Sequence, residues 1–264
     1  MLGQSGEMRL TTGFGNALRE WRGKRKLSQL ELSLSANVSA RHIAFLETGR
    51  SRPSRSMVMR LGEALDVPRA ERNRMLDAAG FRPAWVARPL SAGDLDPVHR
   101  AIARVIERHD PYPALVIDRH WNIVTANTSG TLVMAAFGVA IGDSLLAAML
   151  EPGRAEAMIE NWPEVAAHML ARLRTESAHL GGDAVLDKAA SQLAGDPALQ
   201  KAPQPADMPA IIPTRYRLGG RIFSVFGTIA QFGTAEDIAL ADLKIELLFP
   251  ADEATRALFE ADSS

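Results

Sequence analysis

The sequence predicts an all-α N-terminal domain of five helices followed by a C-terminal α+β domain, a five-stranded antiparallel sheet covered by helices. Three observations carry this. Residues 14–80 show apolar periodicity near 3.6 punctuated by helix caps. After Pro113 the period becomes that of strands in two short runs, gives way to a block of helical sequence, and returns in three further runs. Between the two regions, Arg82-Pro83, Arg88-Pro89, Ser91-Ala92-Gly93 and Asp96-Pro97 interrupt periodicity repeatedly. The limits read from this are 1–81 for the first domain (core 14–80), 82–97 for a linker, and 98–262 for the second domain.

The first helix is predicted from about Phe14 to Arg25. Ser28 caps a second, whose apolar positions Leu30, Leu32 and Leu34 lead into Ala36, and Asn37 supplies a residue that tolerates a left-handed turn. Ser39 caps a third helix that turns Ile43 and Leu46 toward its predecessor and leaves Ala40, Arg41, Ala44 and Phe45 outside, with Gly49 ending it. Leu30, Ile43 and Leu46 are read as core, and Glu47 as an ion-pair or helix-end partner within the domain. A fourth helix is predicted over Ser54 to Leu65 and a fifth from Pro68 to Ala79. Two helices meeting steeply across the turn at Asn37 form a helix-turn-helix, which can set its second helix in a DNA major groove.

In the second domain a helix is predicted over Val98 to His109, with Ile102, Val105 and Ile106 on its apolar side. Ala114 to Asp118 and Asn122 to Asn127 form a hairpin around Arg119-His120-Trp121. Helical stretches follow at Leu132 to Phe137, Ser144 to Leu150, Trp162 to Ala178 and Ala184 to Leu193. Thr214 to Leu218 and Arg221 to Gln231 pair through Gly219-Gly220, and Leu243 to Phe249 adds the last strand. Two strands, helices, then three strands is the order of a PAS-like domain, with helices over one face of the sheet.

Charge separates the halves. Residues 1–90 hold 16 Lys or Arg against 8 Asp or Glu, net +8, whereas the other 174 hold 14 against 23, net −9. A basic module supplies counterion-release affinity for duplex DNA, and an acidic one does not adhere to phosphate. There is no cysteine, which excludes disulfides, thiolate metal sites, iron–sulfur clusters and cysteine catalysis. The longest apolar stretch, near Leu132 to Ile141, is too short to span a bilayer, and no cationic start precedes an apolar run, so a cytoplasmic protein without membrane contact is expected. No phosphate loop, Gly-x-Ser-x-Gly or His-Glu-x-x-His occurs, and Gly13-Phe14-Gly15 lacks the third glycine of a dinucleotide site. No enzyme, cofactor or metal is expected.

Leu27-Ser28-Gln29, Val38-Ser39, Ile43, Glu47, Gly49 and Pro53 resemble the Cro/repressor-like, or xenobiotic-response-element, family over residues 14–80. The resemblance implies that Gln29 and Ser39 touch phosphate, Arg41 reaches base edges, and Arg50 or Arg52 steadies the backbone. Ala40 and Ala44 stand where relatives often carry long polar side chains, which leaves few hydrogen bonds for readout. His42 is open between phosphate contact and bystander, Phe45 between thymine-methyl contact and packing. An inverted-repeat operator bound by a homodimer follows from the limited surface of one such domain.

Residues 113–127, Asn161-Trp162-Pro163-Glu164-Val165-Ala166-Ala167-His168 and Phe249-Pro250-Ala251-Asp252-Glu253-Ala254-Thr255 resemble the MmyB-like regulators, with Thr125-Ala126 departing from the usual Ala-Trp. That resemblance implies a PAS-like domain binding a small apolar ligand, for which a long-chain fatty acid is one type. Trp121, Val124, Leu132, Met134, Phe137, Trp162, Met169, Phe223 and Phe226 are the candidates for lining an apolar cavity between sheet and helices. Glu164, His168 and Arg172 share a helix face, so His168 with Arg172 either holds a ligand carboxylate or belongs to a ladder of helix-surface pairs. The rival reading leaves the second domain to dimerisation or protein docking, with constitutive DNA binding by the first.

Overall fold

The computed structural model describes residues 3–86, 88, 95–203, 211–232 and 237–261, with residues 3–12 described as backbone alone. Two compact units divide near residue 87. The linker expected over 82–97 lies partly outside the described residues. Its first residues are fastened to the first unit: Asn73 Oδ1 accepts from the amides of Ala84 and Trp85, and Asn73 Nδ2 donates to the Trp85 carbonyl.

The first unit is five helices, α1 (Gly3–Lys24), α2 (Gln29–Ala36), α3 (Ala40–Glu47), α4 (Arg55–Ala64) and α5 (Arg69–Ala78). Serine starts three of them. Ser28 forms a capping box with Glu31, Ser39 accepts from the His42 amide and Ser54 from the Met57 amide, satisfying donors a helix start leaves free. Asn37 closes α2 with φ 50°, the left-handed turn that redirects the chain into α3. Phe14, Leu18, Leu32, Ile43, Leu46 and Leu61 fill the core at 0% exposure. Leu30 does not join them: it is 61% exposed and Leu34 74%. Two residues advance a helix by about 200°, so leucines at that spacing cannot share a face, and Leu32 alone turns inward.

α1 crosses α3 at Gly15. A methyl built there would stand 2.6 Å from the Leu46 carbonyl oxygen and 2.8 Å from that of Glu47. Backbone approach this close brings Glu47 under α1, where its side chain is 1% exposed. Arg22 donates to it from Nε at 2.7 Å and Nη2 at 3.0 Å, Gln29 Nε2 at 2.8 Å, and Arg19 Nε lies 3.7 Å away. Burial pushes the Glu47 carboxyl upward, but hydrogen bonds from Arg22 and Gln29, with the charges of Arg22 and Arg19, hold it below the usual glutamate range.

The second unit begins with α6 (Asp96–Glu107) and the hairpin β1 (Ala114–Ile117) and β2 (Ile123–Ala126). Five helices follow: α7 (Thr128–Ala136), α8 (Leu145–Met149), α9 (Arg154–Met158), α10 (Trp162–His179) and α11 (Ala184–Ala194). A short 3-10 helix over Pro197–Lys201 precedes β3 (Thr214–Leu218), β4 (Arg221–Gln231), α12 (Ile238–Ala241), β5 (Lys244–Pro250) and α13 (Glu253–Ala261). The sheet is antiparallel in the order β2-β1-β5-β4-β3, so the last strand lies between the first and the fourth. Gly219 and Gly220, at φ 57° and 76°, make the β3–β4 turn, backbone that residues with a Cβ resist.

The sheet carries structure on both faces rather than one. All four residues of β1 are buried, as expected of an Ala-Leu-Val-Ile run covered twice. Ala114, Val116 and Ile245 pack on Ile102 and Ile106 of α6. The other face carries Leu115 and Ile117 beside their cross-strand partners Glu246 and Lys244. Asn127, 4% exposed, ties these layers: its Oδ1 accepts from Ala114 and Gly130 amides, and its Nδ2 donates to the Ile106 and Tyr112 carbonyls.

The Glu47 cluster sets a test of stability. Glu47→Ala leaves Arg22 and Gln29 without their acceptor and is expected to cost roughly 3–5 kcal/mol, the range for breaking a buried pair. A carboxyl depressed by folding contributes stability above its unfolded pKa and loses it as pH falls through the folded one. Denaturant melts of the wild type should therefore weaken as pH drops below about 4.5, and Glu47→Gln should weaken less steeply there. Equal slopes for the two proteins would contradict this account.

Candidate functional site

On α3 the side chains outside the core are Arg41, which is exposed, and His42, Ala44 and Phe45, which are half-buried. The Arg41 guanidinium lies 5.2 Å from the Phe45 ring centroid, so the ring acts as a platform for the cation. Ala40 is half-buried at the helix start, behind the exposed cap Ser39. Arg50 and Arg52 are exposed on the loop that leaves α3. Gln29 is held inside the domain by Glu47 rather than turned wholly outward, although one amide hydrogen and its carbonyl oxygen stay uncommitted to that bond. Sequence reasoning passed over Arg55, exposed at the start of α4 and donating to the Arg82 carbonyl at 2.6 Å. Its only signal was the third arginine of Arg50-Ser51-Arg52-Pro53-Ser54-Arg55.

In the second unit the expected apolar cavity behind the sheet is occupied by charge. Arg172 donates from Nε to Glu176 at 2.8 Å and from Nη2 to Glu246 at 2.5 Å, and lies 4.2 Å over the Trp121 ring. Lys244 and the Trp121 indole N–H both reach Glu176, at 2.6 and 3.0 Å. Trp121 enters this cluster with φ 63°, a strained backbone for an aromatic residue. Tyr216 stands near the same charge, its hydroxyl pushed up to about 12 by burial and by Glu246. Arg172 is thus committed to two carboxylates of its own domain. His168 is exposed on α10, and partial desolvation with the nearby Arg172 charge lowers its pKa, which favours the neutral imidazole.

The remaining candidates divide. Trp162 is 2% exposed with its indole N–H on Asp196, Met169 3% and Met134 6%, all core positions. Val124 packs with the α6 cluster, and Phe226 stacks on Phe249 at 5.6 Å, on the sheet face away from α10. Phe137 meets Tyr216 at 5.1 Å and Phe223 at 6.5 Å. Leu132 and Phe223 are brought together, in a groove of about 510 Å³ between α7, the β3–β4 hairpin and α13. Val133, Leu218, Leu258 and Phe259 complete its apolar walls, and Asp110 and Arg221 also line it. The α13 contribution was invisible because no helix was predicted after Phe249. Among the described residues no group of three or more His, Asp or Glu is placed to hold a metal, and no helix is long and apolar enough to cross a membrane.

Residues 98–261 match the family described as the MmyB-like transcription regulator ligand binding domain, and residues 18–72 match the helix-turn-helix family. HTH-type transcriptional regulators of Mycobacterium tuberculosis and Mycobacterium bovis are 30% identical over 149 residues, 51% of this chain and 57% of theirs. The match thus spans little more than half the length of those relatives. Among solved structures, the PAS domain of Bordetella pertussis BvgS is similar over 64% of this chain and 96% of that one, with 14% identity and a TM-score of 0.30.

Proposed function

We propose a function from the premise that this chain belongs to the MmyB-like transcription regulators, helix-turn-helix proteins with a ligand-binding domain. It binds duplex DNA through α3 and responds to a small apolar ligand held in the groove between α7, the β3–β4 hairpin and α13. A fatty acid is the ligand type that the family resemblance favours. The observation that carries the reading is the joining, in one chain, of an open arginine-bearing helix on a basic module to an apolar groove of ligand size. Ligand changes operator affinity by its differential binding to two arrangements of the protein. The regulator acts in the cytoplasm.

Arg41→Ala should weaken binding to the operator by roughly 1–3 kcal/mol and relax one base position, the worth of a bidentate arginine–guanine contact. Titrations on operator and random duplex check it, and equal losses on both would make Arg41 a phosphate contact. Recognition as a symmetric dimer predicts protection of two half-sites about 34–36 Å apart. Footprinting with sedimentation decides: a monomer at micromolar concentration protecting one half-site removes the dimer. For the ligand, mass spectrometry of extracts from the denatured protein should yield a small apolar compound, and adding it or a fatty acid should shift both melting temperature and operator affinity. With no extractable compound and neither shift, the second domain reverts to a dimerisation or docking module.

A further inference from the structure

We propose that Arg221 makes the groove selective for amphiphiles with an anionic head, its guanidinium holding the head group at the mouth while the apolar walls take the tail. This rests on the groove being the ligand site.

Two charged side chains line the groove, Asp110 and Arg221. They are not equivalent. Asp110 Oδ1 already accepts two hydrogen bonds from Ser129, from the amide at 3.2 Å and the hydroxyl at 2.8 Å, so this carboxylate is held at the start of α7. The guanidinium of Arg221 has no ion-pair or hydrogen-bond partner among the described residues, and Arg221 is exposed. The other cations of this region are committed: Arg172 and Lys244 to Glu176 and Glu246, Arg256 to Glu253, and Arg217 to the Glu156 carbonyl.

Strand geometry places this free cation over the apolar floor. Arg221 opens β4 opposite Leu218, and Phe223, two residues on, points to the same side about 7 Å further along. Phe223 is 6% exposed and meets the edge of Phe259 at 6.0 Å, so the groove passes from a wet charged rim to a dry aromatic floor. A guanidinium beside low-dielectric walls binds a carboxylate, sulfate or phosphate in a planar two-point contact, more strongly than it would in open water. A neutral head gains little there, and a cationic head is repelled. The head-group role left open in the sequence for His168 with Arg172 thus passes to the hairpin, because Arg172 is engaged inside the domain by Glu176 and Glu246.

The test uses the full chain at about pH 8, where a carboxylic acid is ionised. Dodecanoate, 1-dodecanol and dodecylammonium are titrated separately by calorimetry below their micelle-forming concentrations. Dodecanoate should bind at least about fivefold more tightly than dodecanol, with dodecylammonium weakest, and the preference should shrink with added salt, as for an exposed ion pair. R221Q should erase the preference for the acid while leaving dodecanol affinity unchanged, and R221K should keep most of it. Equal affinity of the wild type for acid and alcohol, or a preference surviving in R221Q, overturns the role of Arg221 and leaves the groove as a ligand site. Failure of all three to bind removes the groove reading, and the role of Arg221 with it.

Discussion

What α3 presents outward depends on the Glu47 carboxylate beneath it. An eight-residue helix is not stable alone and takes its place from what it packs on. Ile43 and Leu46 supply burial, but burial is non-directional and leaves the helix free to slide or rotate. Glu47, its last residue, accepts from Arg22 on α1 and Gln29 on α2, so one side chain fixes α3 against both neighbours. Gly15 is the steric condition, since any larger residue there would hold α1 off the α3 carbonyls. The three elements form one unit of distance and angle, which reading a groove of fixed width requires.

The second domain uses the same device with a different result. Arg172, Glu176, Lys244, Glu246 and the Trp121 indole satisfy one another on the face of the sheet toward α10. A paired cluster of this kind fills space that an apolar lining would leave to a ligand, and it orients α10 against β5. An open groove lies instead at the end of the sheet, where α7, the β3–β4 turn and α13 meet. Strain at Trp121 belongs to this arrangement: its left-handed backbone places the ring under Arg172 and its N–H on Glu176.

The fold was legible wherever the signal was local. Serine caps, the Asn37 turn and the Gly219-Gly220 hairpin follow from residue type and period, and most helix ends agree to within a residue or two, but α1 starts at Gly3 and α7 at Thr128, well before the expected Phe14 and Leu132. Leu30 and Leu34 misled because a run of leucines at two-residue spacing reads as hydrophobic without being amphipathic. α13, which buries only Thr255 fully, was missed, as were the short α9 and α12. The groove was legible only in part. Periodicity says which residues face inward, but Leu132 and Phe223 are ninety-one positions apart and their meeting depends on tertiary closure. Helix spacing gives the pair of Arg172 with Glu176 four residues on, but not its second partner Glu246, which tertiary packing of α10 on β5 brings near.

The construction of the groove also bears on how occupancy is transmitted in the proposed regulator. Its walls come from three stretches far apart in the chain, and they are unequally held. α7 is pinned at its start by Asn127, whose side chain bonds β1 and the end of α6, and by Asp110. α13 buries one residue and is held by the Thr255 hydroxyl on the Ser224 amide, the Tyr112 hydroxyl on Glu260, and ring contacts of Phe259 with Phe223 and Tyr112. A ligand bridging the two therefore contributes a small fraction of what fixes α7 and a large fraction of what fixes α13. Ligands shift equilibria only through contacts that differ between states. In the proposed regulator the element free to make such a difference is α13, so a ligand in this groove would act on that helix rather than on the sheet or α7.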